Sequence, residues 1–332
     1  MINTYIVTML PSLARSWTRC TLPPYIAKST SSVRRISTTP LRPTPASNST
    51  TRFSSRVSDY ISSRPSYPNS IVPLLQDHFN LPLDAHIVDL GSGTGILSAL
   101  FLQELESCPS LRVTGLEPNK DMREAGEELL QKDMEAGRFT SLDATAETTG
   151  LQDDSVDLIL AGQAFHWFDV PKTRAECLRI LKKGGRSGVA LVWNDRRGVQ
   201  DAPQRLAAAG EDINQVDYDR LDSPVTSAYE LLLVKRGTDY KNVDHHRKVD
   251  KKALDTFFGP KGFKVKSFEN PYKLTYEQLK GRLLSSSYTP QEGEKGHAEM
   301  MRELQELFDK FQKDGKVDFI YDTRVFYGEL SE

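Results

Sequence analysis

Short apolar segments alternate with longer amphipathic segments from residue 71 to residue 195, and this alternation constrains the fold more than any other feature. The apolar segments of strand length are HIVDL at 86–90, RVTGLEP at 112–118, VDLILAGQ at 156–163 and SGVALVWND at 187–195. Segments with the apolar spacing of helices separate them. Strands that alternate with helices form parallel sheets covered on both faces. The pattern therefore predicts a doubly wound α/β fold with its ligand beyond the carboxyl ends of the strands.

Four helices are predicted inside this alternating region. The first two cover 71–79 and ILSALFLQELE at 96–106. The third covers MREAGEELLQKDMEAG at 122–137, and the fourth covers TRAECLRILKKGG at 173–185, where glycine closes it. After residue 195 a long polar stretch follows, with a helix-like SAYELLLVKRG inside it. We therefore predict a core at 57–195, an insertion over the site at 196–247, and a completion of the sheet with two cap helices at 248–330.

Residues 1–56 have a composition unlike that of the rest. They contain seven Arg and one Lys without any Asp or Glu, and 17 of positions 29–56 are Ser, Thr or Pro. This composition is typical of a mitochondrial transit peptide, with a plausible processing region at RRISTT, 34–39. The alternative is a disordered, low-complexity tail on a cytoplasmic protein. Either way, the segment is not expected to contribute to the fold.

Charge and cysteine content exclude several classes of function. The formal net charge is −2, and without residues 1–56 the chain keeps 35 basic against 45 acidic residues. An acidic core argues against a nucleic-acid partner, because phosphate contacts need clustered Lys and Arg. The three cysteines lie far apart, and neither they nor the histidines have the spacing of a metal site. No apolar run approaches membrane-spanning length.

The segment VDLGSGTG at 88–95 places three glycines at the junction of a predicted strand and a predicted helix. Glycine lets a backbone turn sharply and approach a ligand closely. The lysine of a phosphate-binding loop is absent, because Ile96, Leu97 and Ser98 follow the last glycine. The third glycine also comes one residue early for the dinucleotide pattern GxGxxG, which argues against a dehydrogenase. A tight turn without a ligand is the alternative to a binding loop.

An acid stands at the tip of the second predicted strand. Glu117 follows VTGL and precedes Pro118. A carboxylate in this position can accept hydrogen bonds from two neighbouring ribose hydroxyls. A third signal is the acidic loop and strand DATAETTGLQDDSVDLILAGQAFHWF at 143–168.

Taken together, these segments resemble the class I S-adenosylmethionine-dependent methyltransferases over about residues 57–330. VDLGSGTG resembles their first motif, GLEPNKDM their acidic strand tip, LILAGQAFHWFD their fourth-strand motif and LRILKKGG the helix after it. AxQAFHWFD, RPSYP, SSSYTP and YDT resemble the methyltransferase-11 type, a group that includes trans-aconitate methyltransferase-like proteins. The resemblance implies a Rossmann-like, mostly parallel sheet whose last strand is antiparallel.

The resemblance also implies S-adenosylmethionine as cofactor and a small molecule as acceptor. The methionyl portion would lie on the loop, Asp89 would orient that loop, and Glu117 would hold the ribose. The loop positions are Gly91, Ser92, Gly93 and Gly95.

The remaining cofactor contacts that the resemblance implies concern the adenine and the methyl donor. The adenine would lie between Pro118 and the TAE segment, where the backbone N–H of Ala146 would meet the ring. Thr145 stands where these enzymes often have Asp. Gln163 would face the methyl donor.

His166 is the candidate general base for the acceptor, beside Trp167. The alternative is that FHWF forms an aromatic wall of the pocket. A carboxylate acceptor needs no base near neutral pH, whereas a hydroxyl acceptor benefits from one.

Other residues could contact an acceptor. The arginines could pair an acceptor carboxylate, because a guanidinium offers it two donors, although solvated or structural roles are alternatives. The candidate arginines are Arg64, Arg196 and Arg197. Candidate polar contacts, with turn or capping roles as the alternative for the serines, are Tyr60, Tyr67, Ser285, Ser286, Ser287, Tyr288 and Tyr321.

Three functions remain open from the sequence. The favoured one is a methyltransferase that acts on a carboxylate or hydroxyl of a small molecule. A methyltransferase for RNA or protein would need a basic face that the acidic core does not suggest. A non-catalytic assembly factor that binds the same cofactor would keep the loop and Glu117 but tolerate a blocked acceptor pocket.

Overall fold

A computed structural model describes residues 64–184, 186–197, 223–238, 251–286 and 288–331. The predicted leader at 1–56 lies outside these residues, as do Tyr60, Ser287 and most of the predicted insertion. The predicted domain boundaries therefore stay predictions.

One seven-stranded sheet organises the described residues. Its strands are β1 His86–Leu90, β2 Arg112–Leu116, β3 Phe139–Leu142, β4 Leu158–Gly162, β5 Gly188–Arg196, β6 Lys264–Leu274 and β7 Val317–Gly328. Their order in the sheet is β3-β2-β1-β4-β5-β7-β6. Strands β1 to β5 are parallel, whereas β7 runs antiparallel to both of its neighbours. The predicted fold class is confirmed.

Helices connect the strands and cover the sheet. They are α1 Ile71–Phe79, α2 Ile96–Glu104, α3 Lys120–Leu129, α4 Gln131–Glu135, α5 Val170–Ile180, α6 Pro224–Arg236, α7 Lys251–Phe258, α8 Tyr276–Leu284 and α9 His297–Phe311. A short 3₁₀ helix, Phe165–Trp167, follows β4. None of the helices in the described ranges is long and apolar enough to cross a membrane.

The elements differ from the sequence prediction in three places. The helix predicted over 122–137 is two helices, because Leu130 between them has a non-helical φ of −105° and ψ of 16° and packs its side chain towards Gly95. The helix predicted to close at glycine ends earlier, at Ile180, since Leu181 is extended. Strand β3 was not predicted: it has only four residues, too few to show a period.

The buried side chains form three clusters. Residues of α1 and α2 pack on one face of the parallel strands, and residues of α5 and α7 pack on the other. The third cluster joins α6, α8 and α9 to strand β7, around Tyr229 and Phe319. Strand β6 is the outer edge of the sheet, which suits Pro271 because proline cannot donate a ladder hydrogen bond.

Candidate functional site

The loop between β1 and α2 is built on three glycines with positive φ. The φ angles of Gly91, Gly93 and Gly95 are 66°, 57° and 76°. A Cβ on Gly91 would lie 2.8 Å from the Cβ of Ala164, and one on Gly95 would lie 2.9 Å from Leu130. Glycine is therefore needed here both for the left-handed backbone and for the close neighbours. The loop at 91–95, at the carboxyl end of β1, is therefore shaped for close approach of a ligand, and we call it the glycine cradle.

Glu117 joins this loop to the end of the neighbouring strand β2. Its Oε2 accepts a hydrogen bond from the N–H of Gly93 at 2.9 Å, and its Oε1 accepts one from the N–H of Asn119 at 2.8 Å. Each carboxylate oxygen retains acceptor capacity. Burial raises the pKa of Glu117 above its ordinary value, although these two N–H donors oppose the change. The carboxylate is fixed in position beside the cradle.

Asp89, at the base of the loop, is almost fully buried. Its Oδ2 accepts a hydrogen bond from the Ser98 hydroxyl at 2.8 Å, and its Oδ1 has no hydrogen-bond partner among the described residues. Burial, together with the nearby charge of Glu117, raises the pKa of Asp89 to about 7. A buried acceptor without a partner at a strand end is typical of a site that receives a ligand donor.

The two neighbouring residues predicted to contact adenine differ in exposure. Thr145 is exposed, whereas Ala146 is buried and belongs to the same apolar cluster as Phe165. The first residue after β3 is instead Asp143, an exposed acid that forms an ion pair with Arg123 at 3.0 Å. Arg123 also donates to the backbone oxygen of Glu117 at 2.8 Å.

Gln163, the first residue after β4, has a strained backbone. Its φ is 56°, in the region that favours glycine. Its backbone N–H donates to Val192 O at 2.9 Å, and its Nε2 donates to Asn194 O at 3.1 Å. Its side-chain amide therefore bonds to strand β5. Strain of this kind is concentrated at functional sites.

The side chains of the FHWF segment, 165–168, lie in two environments, the buried core and the candidate site. Phe165 is fully buried, with its ring centroid 5.0 Å from that of Phe257. His166 and Trp167 are half-buried, with ring centroids 4.9 Å apart. Phe168 lies over the cradle, 3.6 Å from where a Cβ on Gly91 would be.

The segment at 64–70, directly before α1, is hydrogen-bonded to residues of β5 and β6. The Ser66 carbonyl accepts hydrogen bonds from Asn194 at 3.1 Å, Asn270 at 3.0 Å and the Tyr272 hydroxyl at 3.2 Å. Tyr67 is buried, and its hydroxyl would lie 2.7 Å from a Cβ on Gly162. This segment therefore crosses the ends of β4, β5 and β6.

The two consecutive arginines at the end of β5 have different environments. Arg196 pairs with the buried Glu230 of α6 at 2.8 Å, with its guanidinium 5.8 Å from the Tyr229 ring centroid. Arg197 pairs with Asp322 at 2.6 Å and with Glu269 at 2.7 Å. Arg197 is thus paired with two carboxylates, and it shares neither of them with Arg196.

The structure adds a buried arginine that the sequence did not indicate. Arg282 of α8 is only 7% exposed, and its guanidinium lies 4.8 Å from the Tyr321 ring centroid and 5.5 Å from that of Phe319. Burial lowers the pKa of Arg282, and the positive charges of Arg64 and Arg196 lower it further. Arg282 is three residues after the buried Leu279 and therefore lies on the same face of α8. This position on an apolar face is the sequence signal that could have identified it.

The other predicted polar contacts fall into two groups. Tyr288 and Tyr321 are buried, and a hydrogen bond joins Tyr288 to Arg196. The hydroxyls of Ser285 and Ser286 both donate to the Arg282 backbone oxygen, which is a turn role. In the described ranges, no group of three or more His, Cys, Asp or Glu residues is arranged to hold a metal ion.

Comparisons with known proteins agree with this geometry. Residues 88–188 match the family model described as a methyltransferase domain. The chain is 31% identical over 147 residues to an uncharacterized methyltransferase of Schizosaccharomyces pombe, covering 43% of this chain and 53% of that protein. It is 36% identical over 145 residues to one of Mycobacterium tuberculosis, with 43% and 52% covered.

A third relative has a described reaction. The malonyl-[acyl-carrier protein] O-methyltransferase of Methylococcus capsulatus is 32% identical over 107 residues, which cover 32% of this chain and 36% of that protein. This chain spans about half the length of the first curated relatives that it matches.

A solved structure from Anaeromyxobacter dehalogenans, provisionally assigned to the type II methyltransferases, superposes with a TM-score of 0.51 at 20% identity. The match covers 81% of this chain and 99% of that chain. The described residues therefore have the Rossmann-like fold of that structure, and residues 88–188 are similar to a methyltransferase domain.

Proposed function

We propose that this chain is an S-adenosylmethionine-dependent methyltransferase that methylates an oxygen, a carboxylate or a hydroxyl, of a small molecule. The observation that carries the proposal is the hydrogen bond from Gly93 N–H to Glu117 Oε2. It brings the glycine cradle and the strand-tip acid, which lie 24 residues apart, to one edge of the sheet.

The residues present fit the cofactor at this edge. Gly91, Gly93 and Gly95 would hold the methionyl portion, because their backbone accepts close approach. Glu117 would accept from the ribose hydroxyls with its remaining lone pairs. We expect Asp143, the first residue after β3, rather than the hydroxyl of Thr145, to accept from an adenine amino group, because β3 pairs with the strand that Glu117 follows.

Alignment is the main task of the protein in this reaction. When bound, S-adenosylmethionine supplies an electrophilic methyl group on a sulfonium. The chain must hold an acceptor oxygen in line with that methyl and exclude water. Gln163, His166 and Tyr67 lie at the end of β4 where this alignment would occur.

An oxygen acceptor is favoured by one observation and one chemical argument. The relative from Methylococcus capsulatus is an O-methyltransferase by its name. A carboxylate is ionised near neutral pH, so that methyl transfer to it needs no general base.

The test is direct. The full chain is first titrated with S-adenosylhomocysteine in a calorimeter, and micromolar binding is expected. It is then incubated with methyl-labelled cofactor and a metabolite extract, with mass analysis for molecules that gain one methyl. Binding without any methylated small molecule would favour the non-catalytic assembly factor, and methylated RNA or protein would favour those acceptors. No binding at all would refute the proposal.

A further inference from the structure

We propose that a cavity at the amino ends of β4 and β5 binds a small amphipathic anion, meaning an apolar chain that ends in a carboxylate or a phosphate. We call it the distal cavity. The proposal goes beyond the proposed function and does not depend on it, because the distal cavity lies at the opposite edge of the sheet from the glycine cradle.

The distal cavity has the size of a small-molecule site and a place of its own in the fold. Its volume is about 660 Å³, within the range of ligand pockets. Its lining includes Asp157, directly before β4, and Ser187, directly before β5. Gln163, at the candidate site, directly follows β4, so that at the rise of a β-strand it lies about 20 Å from Asp157. A ligand in the distal cavity would therefore not contact the glycine cradle.

Part of the lining is apolar. It comes from the end of α1 and the segment after that helix, through Phe79, Leu81 and Pro82. The next residue, Leu83, is 75% exposed, the largest fraction among the large apolar side chains of the described residues. Covering apolar surface of this kind contributes about 25 cal/mol per Å² to binding. This part of the lining therefore suits the apolar chain of a ligand.

The rest of the lining is mainly basic. Lys182 Nζ lies 2.9 and 2.8 Å from the two carboxylate oxygens of the buried Asp157, and an ammonium group has three donors, so that one remains for a ligand. Lys183 and Arg186 also line the distal cavity, and neither forms an ion pair with a described carboxylate. Three cations and one acid leave an excess of two positive charges. The charge of the lining is therefore complementary to an anion.

The backbone that carries these cations is held in place without a ligand. The Ser187 hydroxyl donates to Lys182 O at 2.6 Å, and the N–H of Lys183 donates to the Asp154 carboxylate. A guanidinium such as that of Arg186 can pair with a carboxylate or a phosphate through two donors. A fixed backbone lowers the ordering cost of binding. Basic and apolar parts of one lining together favour an amphipathic anion over an inorganic ion or a neutral molecule.

The test is a calorimetric titration of the full chain at constant ionic strength. The probes are octanoate and octyl phosphate, with octanamide as the neutral counterpart and acetate as the anion without an apolar chain. We expect both octyl anions to bind at one site per chain, and octanamide and acetate to bind at least about tenfold more weakly, because each lacks one of the two contributions. Tighter binding of octyl phosphate would assign a phosphate as the natural head group, and tighter binding of octanoate would assign a carboxylate.

A double variant locates the binding site. K183Q/R186Q removes the two cations without a described carboxylate partner, and it should weaken octanoate binding at least about tenfold. K252Q/R302Q is the matched control, because Lys252 and Arg302 are an exposed lysine and an exposed arginine of other helices. The control should bind octanoate as the wild type does. All four changed residues are exposed, so that both variants should fold, which equal melting temperatures would verify.

Several results would overturn the inference. They are no binding of either octyl anion, equal binding of octanamide, full octanoate affinity in K183Q/R186Q, or competition between octanoate and S-adenosylhomocysteine, which would place octanoate in the glycine cradle. A wild-type dimer that becomes monomeric in K183Q/R186Q would show that a second copy of the chain occupies the distal cavity instead. Failure of the proposed function is distinguishable, because a chain that binds no S-adenosylhomocysteine would still be titrated with octanoate.

Discussion

The backbone N–H of Gly93 donates a 2.9 Å hydrogen bond to Oε2 of Glu117, and this contact fastens the glycine loop to the tip of strand β2. The same carboxylate accepts from Asn119 through its other oxygen. These two hydrogen bonds connect the glycine loop, the end of β2 and the start of α3 through the carboxylate of Glu117. The position of that acid is set before any ligand binds, which lowers the ordering cost of binding.

Glu117→Gln should weaken S-adenosylhomocysteine binding by about 10- to 150-fold, because a lost hydrogen bond to a charged group corresponds to roughly 1.5–3 kcal/mol. The glutamine amide would also face the N–H of Gly93 or Asn119 with a donor. Calorimetric titration measures the effect. Glu124→Gln is the control, since Glu124 is an exposed residue of α3, and it should bind as the wild type does. Unchanged affinity in Glu117→Gln would contradict the ribose assignment.

Gly91→Ala should lose both stability and cofactor binding. Its φ of 66° disfavours any Cβ, and that Cβ would lie 2.8 Å from Ala164. Gly150→Ala is a matched control, because Gly150 has a φ of 71° but nothing within 4 Å of an added Cβ. The control substitution should lower the free energy of unfolding by about 1–2 kcal/mol, because of the left-handed backbone alone. In urea unfolding, equal losses in the two variants would show that close packing at the cradle is not important.

Stability should depend on pH through Asp89. Its folded pKa of about 7 lies above the ordinary value of 3.8, so the folded state keeps a proton that the unfolded state releases. The Asp89 contribution is therefore present below about pH 4 and is lost as pH rises to about 7, by at most ~4 kcal/mol. The free energy of unfolding of wild type minus that of Asp89→Asn should decrease over this interval and stay flat above it.

The same comparison isolates Asp89 from other titrating groups, because they cancel between the two proteins. Asp318→Asn, a change at an exposed residue of β7, should show no such trend relative to wild type. A difference that rises between pH 4 and pH 7 would reverse the sign of our argument.

Asn194→Ala should destabilise the protein by about 2–4 kcal/mol, because buried donors lose their partners. Asn194 accepts from the Thr323 hydroxyl and from Asn270, and it donates to Ser66 O. A double-mutant cycle with Thr323→Val should give a coupling of about 1 kcal/mol or more. Chemical denaturation measures each variant, and purely additive effects would remove Asn194 from this network.

His166→Ala should retain most of the turnover while acceptor affinity falls. The imidazole packs beside Trp167 at 4.9 Å between ring centroids, which favours a pocket wall, and a carboxylate acceptor needs no base. With the product found in the extract assay, kcat should stay within about fivefold, less than the 100-fold typical of a lost general base. A loss of 100-fold in kcat with unchanged KM would restore the base role.

Much of the fold follows from the sequence. HIVDL was predicted as a strand and is β1 at the same residues. The segment is recognisable because it is a short run of mostly buried residues. The glycine loop after β1 and the acid Glu117 after β2 were also expected at one edge of the sheet, because parallel strands place their carboxyl ends together.

Only the tertiary structure decided which polar residues meet. Consecutive Arg196 and Arg197 form separate ion pairs, with Glu230 and with Asp322 and Glu269. Arg282 lies over the ring of Tyr321, the register partner of Arg196, because α8 packs against β7. Periodicity specifies the direction of a side chain within its own element, and it carries no information about which distant element that side chain faces. The glycine loop and the acid at Glu117 were therefore readable from local pattern, whereas the partners of the arginines depended on packing.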